Sequence, residues 1–119
     1  MNHADIQKTI DSIVAGIPTL IAIAIVEIES GMSLGSVSKD PSFDPDIASA
    51  YNAEVIKQKM SAMHALGIGD QSVEDILITL SNQIHIMRLT NDKKHFIYMA
   101  AKKETNLAMA RSVLKQNNL

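Results

Sequence analysis

Four histidines are the residues of this sequence best able to hold a metal ion or to transfer a proton: His3, His64, His85 and His95. Zinc sites on regular elements need ligands at short spacings such as HExxH, because the ligands must converge on one ion. None of the four has another ligand at the i, i+4 spacing. This favours structural or surface histidines, and the enzyme alternative is a small metal-dependent hydrolase that uses His85, His95 and nearby carboxylates.

Two other patterns could carry chemistry, one acidic and one rich in glycine. Asp70, Glu74 and Asp75 could supply a carboxylate pair for acid–base catalysis, but a solvated connection between a helix and a strand explains them better. The spacing of Gly31 and Gly35 resembles a phosphate-binding loop, yet no GK[ST] follows and no helix begins there. The sequence therefore predicts no catalytic residue, no metal site and no bound cofactor, and we expect a protein that is not an enzyme.

The composition is that of a globular domain. The 119 residues, predicted as a single domain 1–119, can bury one core, and 46% of them are hydrophobic. A net charge of −2 offers no basic surface for nucleic acid. Residues 1–9 lack a signal-peptide pattern, and the longest apolar run, residues 20–26, is far shorter than the roughly 20 residues that span a bilayer. The absence of cysteine suits a reducing compartment. We expect a cytoplasmic protein without membrane insertion.

Hydrophobic periodicity predicts the elements that position these residues. It indicates helices at 4–15, at 45–66 and after Thr105, the expected cap of the last helix, and strands at 19–28, 32–38, 76–80, 84–89 and 96–101. The first strand reads LIAIAIV without polar alternation, so both of its sides must be covered. The sequence thus predicts an α+β fold of order α-β-β-α-β-β-β-α, a three-layer sandwich with helices on both faces of a five-stranded antiparallel sheet. The first and last helices should share one face and leave the other to the middle helix.

The middle helix is apolar over more than half of its circumference, which is more than one packing surface requires. We expect the side that carries Tyr51 and Val55, joined by Phe43, to cover the sheet. The opposite side should then meet a second subunit, together with the third strand. The predicted dimer interface contains six residues: Ala53, Ile56, Met60, Met63, Ile76 and Ile78. We further expect Ile78 and Leu107 to lie in the core.

The order of elements and several segments resemble the roadblock/dynein light-chain family. The segments are GIPTLIAIAIVEIESGMSLG, FDPDIASAYNAEVIK, ILITLSNQIHIMRL and TNLAMAR, and together with the order of elements they cover nearly the whole chain. The resemblance implies a sheet of strand order 2-1-5-4-3 and homodimers that join their third strands and pair their middle helices. It also implies non-enzymatic adaptors, scaffolds or regulators of Ras-like GTPases, a group that includes bacterial gliding-motility regulators.

The favoured function is accordingly a non-catalytic homodimeric adaptor or regulator, acting on a Ras-like small GTPase or within a motor or signalling complex. Besides the hydrolase, a sensory module that binds a small apolar ligand is the main alternative. The sequence contains only two Phe and two Tyr residues and no Trp, so a stacking pocket for a ring ligand is disfavoured.

Overall fold

The computed structural model describes residues 2–117, so Met1, Asn118 and Leu119 of the predicted domain lie outside the described part. The predicted order of elements is confirmed, and the boundaries differ from the predicted ones by at most one residue. The elements are α1 His3–Gly16, β1 Leu20–Glu27, β2 Ser33–Ser38, α2 Pro45–Ala65, β3 Asp75–Thr79, β4 Gln83–Leu89, β5 His95–Lys102 and α3 Leu107–Gln116.

All five strands form one antiparallel sheet in the order β2-β1-β5-β4-β3, as the family resemblance implied. The strands β1 and β5 are central, and residues 22–26 and 96–101 are buried along their whole length. This explains the missing polar alternation, because both faces of these strands are covered. The strands β2 and β3 form the two edges of the sheet.

One face of the sheet is covered by α1 and α3. Ile6, Ile10 and Ile13 recur at helical spacing on α1 and are buried against the sheet. From α3, Ala110 and Leu114 join the same cluster, so the two helices close this face within the chain. Gly35 lies beneath α1, where an added Cβ would stand 2.8 Å from Ile6 Cγ2. The glycine therefore serves the close approach of helix and strand. Gly31 lies in the turn between β1 and β2 and Gly35 on the edge strand β2, so neither precedes a helix.

The other face carries α2 alone, and this helix is defined at both ends by its sequence. Asp44 caps the N-terminus by accepting hydrogen bonds from the backbone N–H groups of Asp46 and Ile47, and Pro45 occupies the first helical turn. At the C-terminus, Gly67 adopts φ +78° and donates to the His64 carbonyl, while Ile68 donates to the Met63 carbonyl. This pair of bonds is the Schellman motif, which fixes the direction of the following loop.

Two local predictions were wrong. The cap of α3 is Asn106, whose side-chain oxygen accepts from the Met109 N–H at 3.0 Å, whereas the Thr105 hydroxyl donates to the Lys102 carbonyl and lies 2.6 Å from the Thr19 hydroxyl. Threonine and asparagine can both cap a helix, so an error of one residue in the predicted start of α3 selects the wrong cap. Leu107 and Ile78 are only half-buried, because each stands at the margin of its cluster.

Candidate interaction surface

The outward side of α2 carries a row of exposed apolar side chains, called here the α2 stripe. Ile47, Tyr51, Val55 and Leu66 share this side, and 60%, 75%, 41% and 71% of their respective surfaces are exposed. At about 100° per residue they fall within one narrow arc of the helix. A row of exposed apolar side chains on a small domain is a candidate surface for contact with another molecule.

The predicted assignment of the two sides of α2 is wrong. Ala53 and Ile56 have no exposed surface, Met63 is buried, and Met60 packs half-buried against the same cluster. Ala53, Ile56 and Met60 cover the sheet, and the Tyr51 side points outward. The sequence misled because both sides are apolar, and aromatic character is a poor guide to which of two apolar sides lies inside.

The two predicted interface residues of β3 lie beside the open edge of the sheet. Ile76 and Ile78 are half-buried on the α2 face, and the strand pairs with β4 on one side only. Two hydrogen bonds at the ends of β3 show which backbone groups face β4. The Glu74 carbonyl accepts from the Leu89 N–H, and the Leu80 N–H donates to the Gln83 carbonyl. By alternation, the backbone N–H and C=O groups of residues 75, 77 and 79 point away from the sheet. β3 therefore offers a free hydrogen-bonding edge.

The region between α2 and this edge is incompletely covered. Helix α2 packs mainly on β1 and β2, which lie on the side of the sheet away from β3. Ala24 and Val26 on β1 have no exposed surface, whereas Ile76, Ile78 and His85 are only half-buried. The chain itself thus does not fully cover the apolar surface nearest the β3 edge.

His85, one of the four candidate histidines, lies in this incompletely covered region beside Ile76 and Ile78. Its Nε2 is 2.6 Å from Gln83 Oε1, its Nδ1 is 3.3 Å from the Tyr98 hydroxyl, and its ring contacts Phe43 and Tyr98 edge-on. Burial lowers the pKa of His85, because the charged imidazolium loses its hydration there. Burial also raises the pKa of the Tyr98 hydroxyl. The geometry suits a neutral histidine that donates to Gln83 and accepts from Tyr98.

The other histidines are separate from His85 and from one another. His3 begins α1, His64 is exposed near the end of α2, and His95 pairs with Asp92 at 2.9 Å. Within residues 2–117, no group of three His, Cys, Asp or Glu side chains is arranged to hold a metal ion.

An ion-pair cluster that no sequence pattern predicted surrounds Asp75. This carboxylate receives Arg111 Nε from α3 at 3.1 Å and lies 3.6 Å from Arg88 Nη1 on β4, so it is a structural ion-pair acceptor. Asp70 and Glu74 are exposed and take no part in it. The sequence gives no local signal for this cluster, because the register of β3 on β4 places Arg88 opposite Asp75 and the packing of α3 on the sheet brings Arg111 from 36 positions away.

None of the helices within residues 2–117 combines the length and apolar character needed to cross a bilayer.

Comparison with known proteins identifies the architecture. Neither a scan against protein-family models nor a search of curated proteins found a match. Among solved structures, Myxococcus xanthus MglB is similar with a TM-score of 0.85 at 11% identity, over 98% of this chain and 84% of that one. A roadblock/LC7 domain from Streptomyces avermitilis gives a TM-score of 0.78 at 14% identity, over 92% and 88%. An MglB with a tetrameric arrangement gives 0.81 at 9% identity, over 98% and 87%. This chain therefore has the roadblock/LC7 fold.

Proposed function

We propose that this protein is a homodimeric, non-catalytic adaptor or regulator whose partner is a Ras-like small GTPase. The observation that carries the homodimer is the exposed α2 stripe together with the open β3 edge and the half-buried apolar residues next to that edge. The GTPase partner is proposed from the resemblance to the roadblock/dynein light-chain family. A second copy of the chain would cover all three features at once. The tetrameric arrangement described for one structure of the same fold supports self-association of this architecture.

The free edge of β3 is suited to pairing with itself. Antiparallel pairing about a two-fold axis at Leu77 would place Leu77 opposite its own copy and Asp75 opposite Thr79. The outward N–H and C=O groups of these three residues would then bond across the axis, joining two sheets into one. Exposed edges tend to attract another strand, so a symmetric partner also protects the edge from uncontrolled association.

The α2 stripe supplies the apolar part of the proposed interface. Tyr51 is its most exposed member and combines a large apolar ring with a hydroxyl, as residues that dominate binding energy often do. Burial of the stripe against a partner would give the contact an apolar centre. The ionic groups Glu54 and Lys57, paired at 2.8 Å, border the stripe and can remain solvated at the rim of the contact.

Light scattering after size exclusion tests the dimer. At micromolar concentration we expect about twice the 13.0 kDa mass of one chain. Tyr51→Glu should give a folded monomer, because it places an unpaired charge in an apolar contact. Thr79→Pro should weaken the dimer through loss of an outward N–H, which an edge strand tolerates. Ser61→Glu, on the exposed polar side of α2, is the matched control and should remain dimeric. A wild-type mass near one chain, or a dimer unaffected by Tyr51→Glu, would refute the interface.

Binding to a GTPase is tested separately. A purified Ras-like GTPase from the same organism, loaded with GDP or with a non-hydrolysable GTP analogue, is titrated into the protein in a calorimeter. A regulator of the switch should prefer one nucleotide state by about tenfold or more, a difference of roughly 1.4 kcal/mol. Equal binding to both states would indicate an adaptor without regulation, and no binding to any Ras-like GTPase of the organism would refute the proposed partner.

A further inference from the structure

A cavity of about 250 Å³ lies between the C-terminal half of α2, the loop that follows it and the β4–β5 turn. Its apolar wall is formed by Met60, Met63, Val73 and Leu89, and its neutral polar groups come from Gln71 and Ser72. Lys93 is the one charged residue among those that line it. We propose that this cavity binds an aliphatic monocarboxylate, with the carboxylate on Lys93 and the chain among the methionine and aliphatic side chains.

Both walls of the cavity are held by backbone hydrogen bonds, so the site exists before a ligand arrives. On one side the Schellman motif at Gly67 and the bond from Gln71 N–H to the Ile68 carbonyl fix the loop. On the other side the Leu89 N–H donates to the Glu74 carbonyl and closes the end of the cavity. Preformed walls reduce the entropy lost on binding.

The β4–β5 turn holds Lys93 while leaving its ammonium without a counter-ion. Asp92 accepts from the Thr90 hydroxyl at 2.6 Å and from the Lys94 N–H at 2.8 Å, and it pairs with His95 at 2.9 Å. Its carboxylate is therefore engaged within the turn. Among residues 2–117, no carboxylate lies within ion-pair distance of the Lys93 ammonium. The backbone of Lys93 adopts φ +62°, which is uncommon outside glycine.

Carboxylates line the two adjoining cavities and not this one. Glu27 and Glu29 line one neighbour together with Lys57, Lys93 and Lys94, and Glu74 and Asp75 line the other together with Lys59 and Lys93. Asp75 is already paired with Arg88 and Arg111. Of these three cavities, the central one is therefore the one in which no carboxylate competes for the Lys93 ammonium.

The size and walls of the cavity define the rest of the ligand. An apolar cavity of about 150 Å³ accommodates benzene, so about 250 Å³ has room for roughly ten non-hydrogen atoms, the number in octanoate. None of the residues that line this cavity is aromatic, which favours an aliphatic chain over a ring. Two methionines in the wall allow small adjustments to chain length.

Calorimetry with octanoate on the full-length protein tests the proposal. We expect a dissociation constant on the order of 100 μM, and much weaker binding of 1-octanol and octylammonium, which lack the carboxylate. Labelled methionine methyl groups should report the site, with Met60 and Met63 shifting most. If octanoate gives no heat and no methyl shift at about 2 mM, or if octylammonium binds equally well, the assignment is wrong.

Lys93→Asn is the decisive variant, because asparagine tolerates positive φ and removes only the charge. It should weaken octanoate binding by roughly tenfold or more, as expected for loss of a charged hydrogen-bond partner. Lys94→Asn, on the same turn, is the matched control and should change affinity less than about twofold. Val73→Phe fills the cavity and should abolish binding with an unchanged circular dichroism spectrum. Equal affinity of Lys93→Asn and the wild type would overturn the proposal.

Discussion

The two faces of the sheet differ in how completely the helices cover them. The face under α1 and α3 is closed by the chain itself, and Ile10, Ile13 and Leu114 there have no exposed surface. The face under α2 is closed over β1 and β5, where Val26, Phe96 and Tyr98 have no exposed surface, whereas Ile76 and Ile78 on β3 remain half-buried. We therefore expect the first face to stabilise the single chain and the second to gain further burial in the proposed dimer.

Truncation of the closed face should give the largest effect. Leu114→Ala removes a fully buried side chain from between α3 and the sheet, and we expect a loss of about 2–5 kcal/mol in the free energy of unfolding. Urea unfolding measures it. Met109→Ala, on the exposed side of the same helix, should change this free energy by less than about 0.5 kcal/mol. A loss below about 1 kcal/mol for Leu114→Ala would show that the two faces do not differ as described.

Truncation on the α2 face should cause a smaller loss in the free energy of unfolding, and this loss should depend on protein concentration. Ile78→Ala removes a half-buried side chain beside the β3 edge, and we expect about 1 kcal/mol in the monomer and roughly 2 kcal/mol where the dimer dominates. Urea unfolding at nanomolar and at high micromolar concentration separates the two values. Val113→Ala, half-buried on the α1 and α3 face, is the control and should show no such dependence. Equal losses for Ile78→Ala at both concentrations would mean that no partner covers β3.

Acidification should have the smallest effect on the free energy of unfolding, and this effect also arises on the α2 face, at His85. Burial lowers the pKa of His85 from 6.5, so the unfolded chain takes up its proton first as the pH falls. Stability contributed by neutral His85 is therefore complete above pH 6.5 and is lost as the pH falls from 6.5 toward the lowered pKa of the folded state. The slope stays below about 1.4 kcal/mol per pH unit, and solvent screening reduces it further.

Urea unfolding at intervals between pH 7 and pH 5 measures this slope. His85→Gln keeps a hydrogen-bonding side chain and should flatten the curve in that window, whereas His64→Gln removes an exposed imidazole and should not. An unchanged curve for His85→Gln would show that the imidazole is not what links this face to pH.

The sequence was sufficient for the elements and the layer arrangement, because both depend on local periodicity. LIAIAIV on β1, the capping pair Asp44 and Pro45 and the stop at Gly67 each specify an element without reference to the rest of the chain. The strand order came from the family resemblance and is confirmed. Local pattern could not decide which apolar side of α2 lies inward, because that depends on which side fits the sheet.

Contacts that rely on register were likewise out of reach. Asp75 pairs with Arg88 and His85 contacts Tyr98 because β3, β4 and β5 are aligned, and Asp75 pairs with Arg111 because α3 packs on the sheet. No spacing along the chain encodes them. The uncompensated charge of Lys93 was also hidden, since the sequence DKKH does not reveal that Asp92 is engaged by its own turn.

The positions of the two tyrosines have a practical consequence. The chain has no tryptophan, so its near-ultraviolet absorption and intrinsic emission come almost entirely from Tyr51 and Tyr98. Tyr98 is sealed inside the α2 face, whereas Tyr51 stands three-quarters exposed on the outer side of the same helix. Any molecule that covers the helix changes the surroundings of Tyr51 alone. Iodide quenching and chemical nitration should thus read out occupancy of that surface in the unlabelled protein, with Tyr98 as an internal reference.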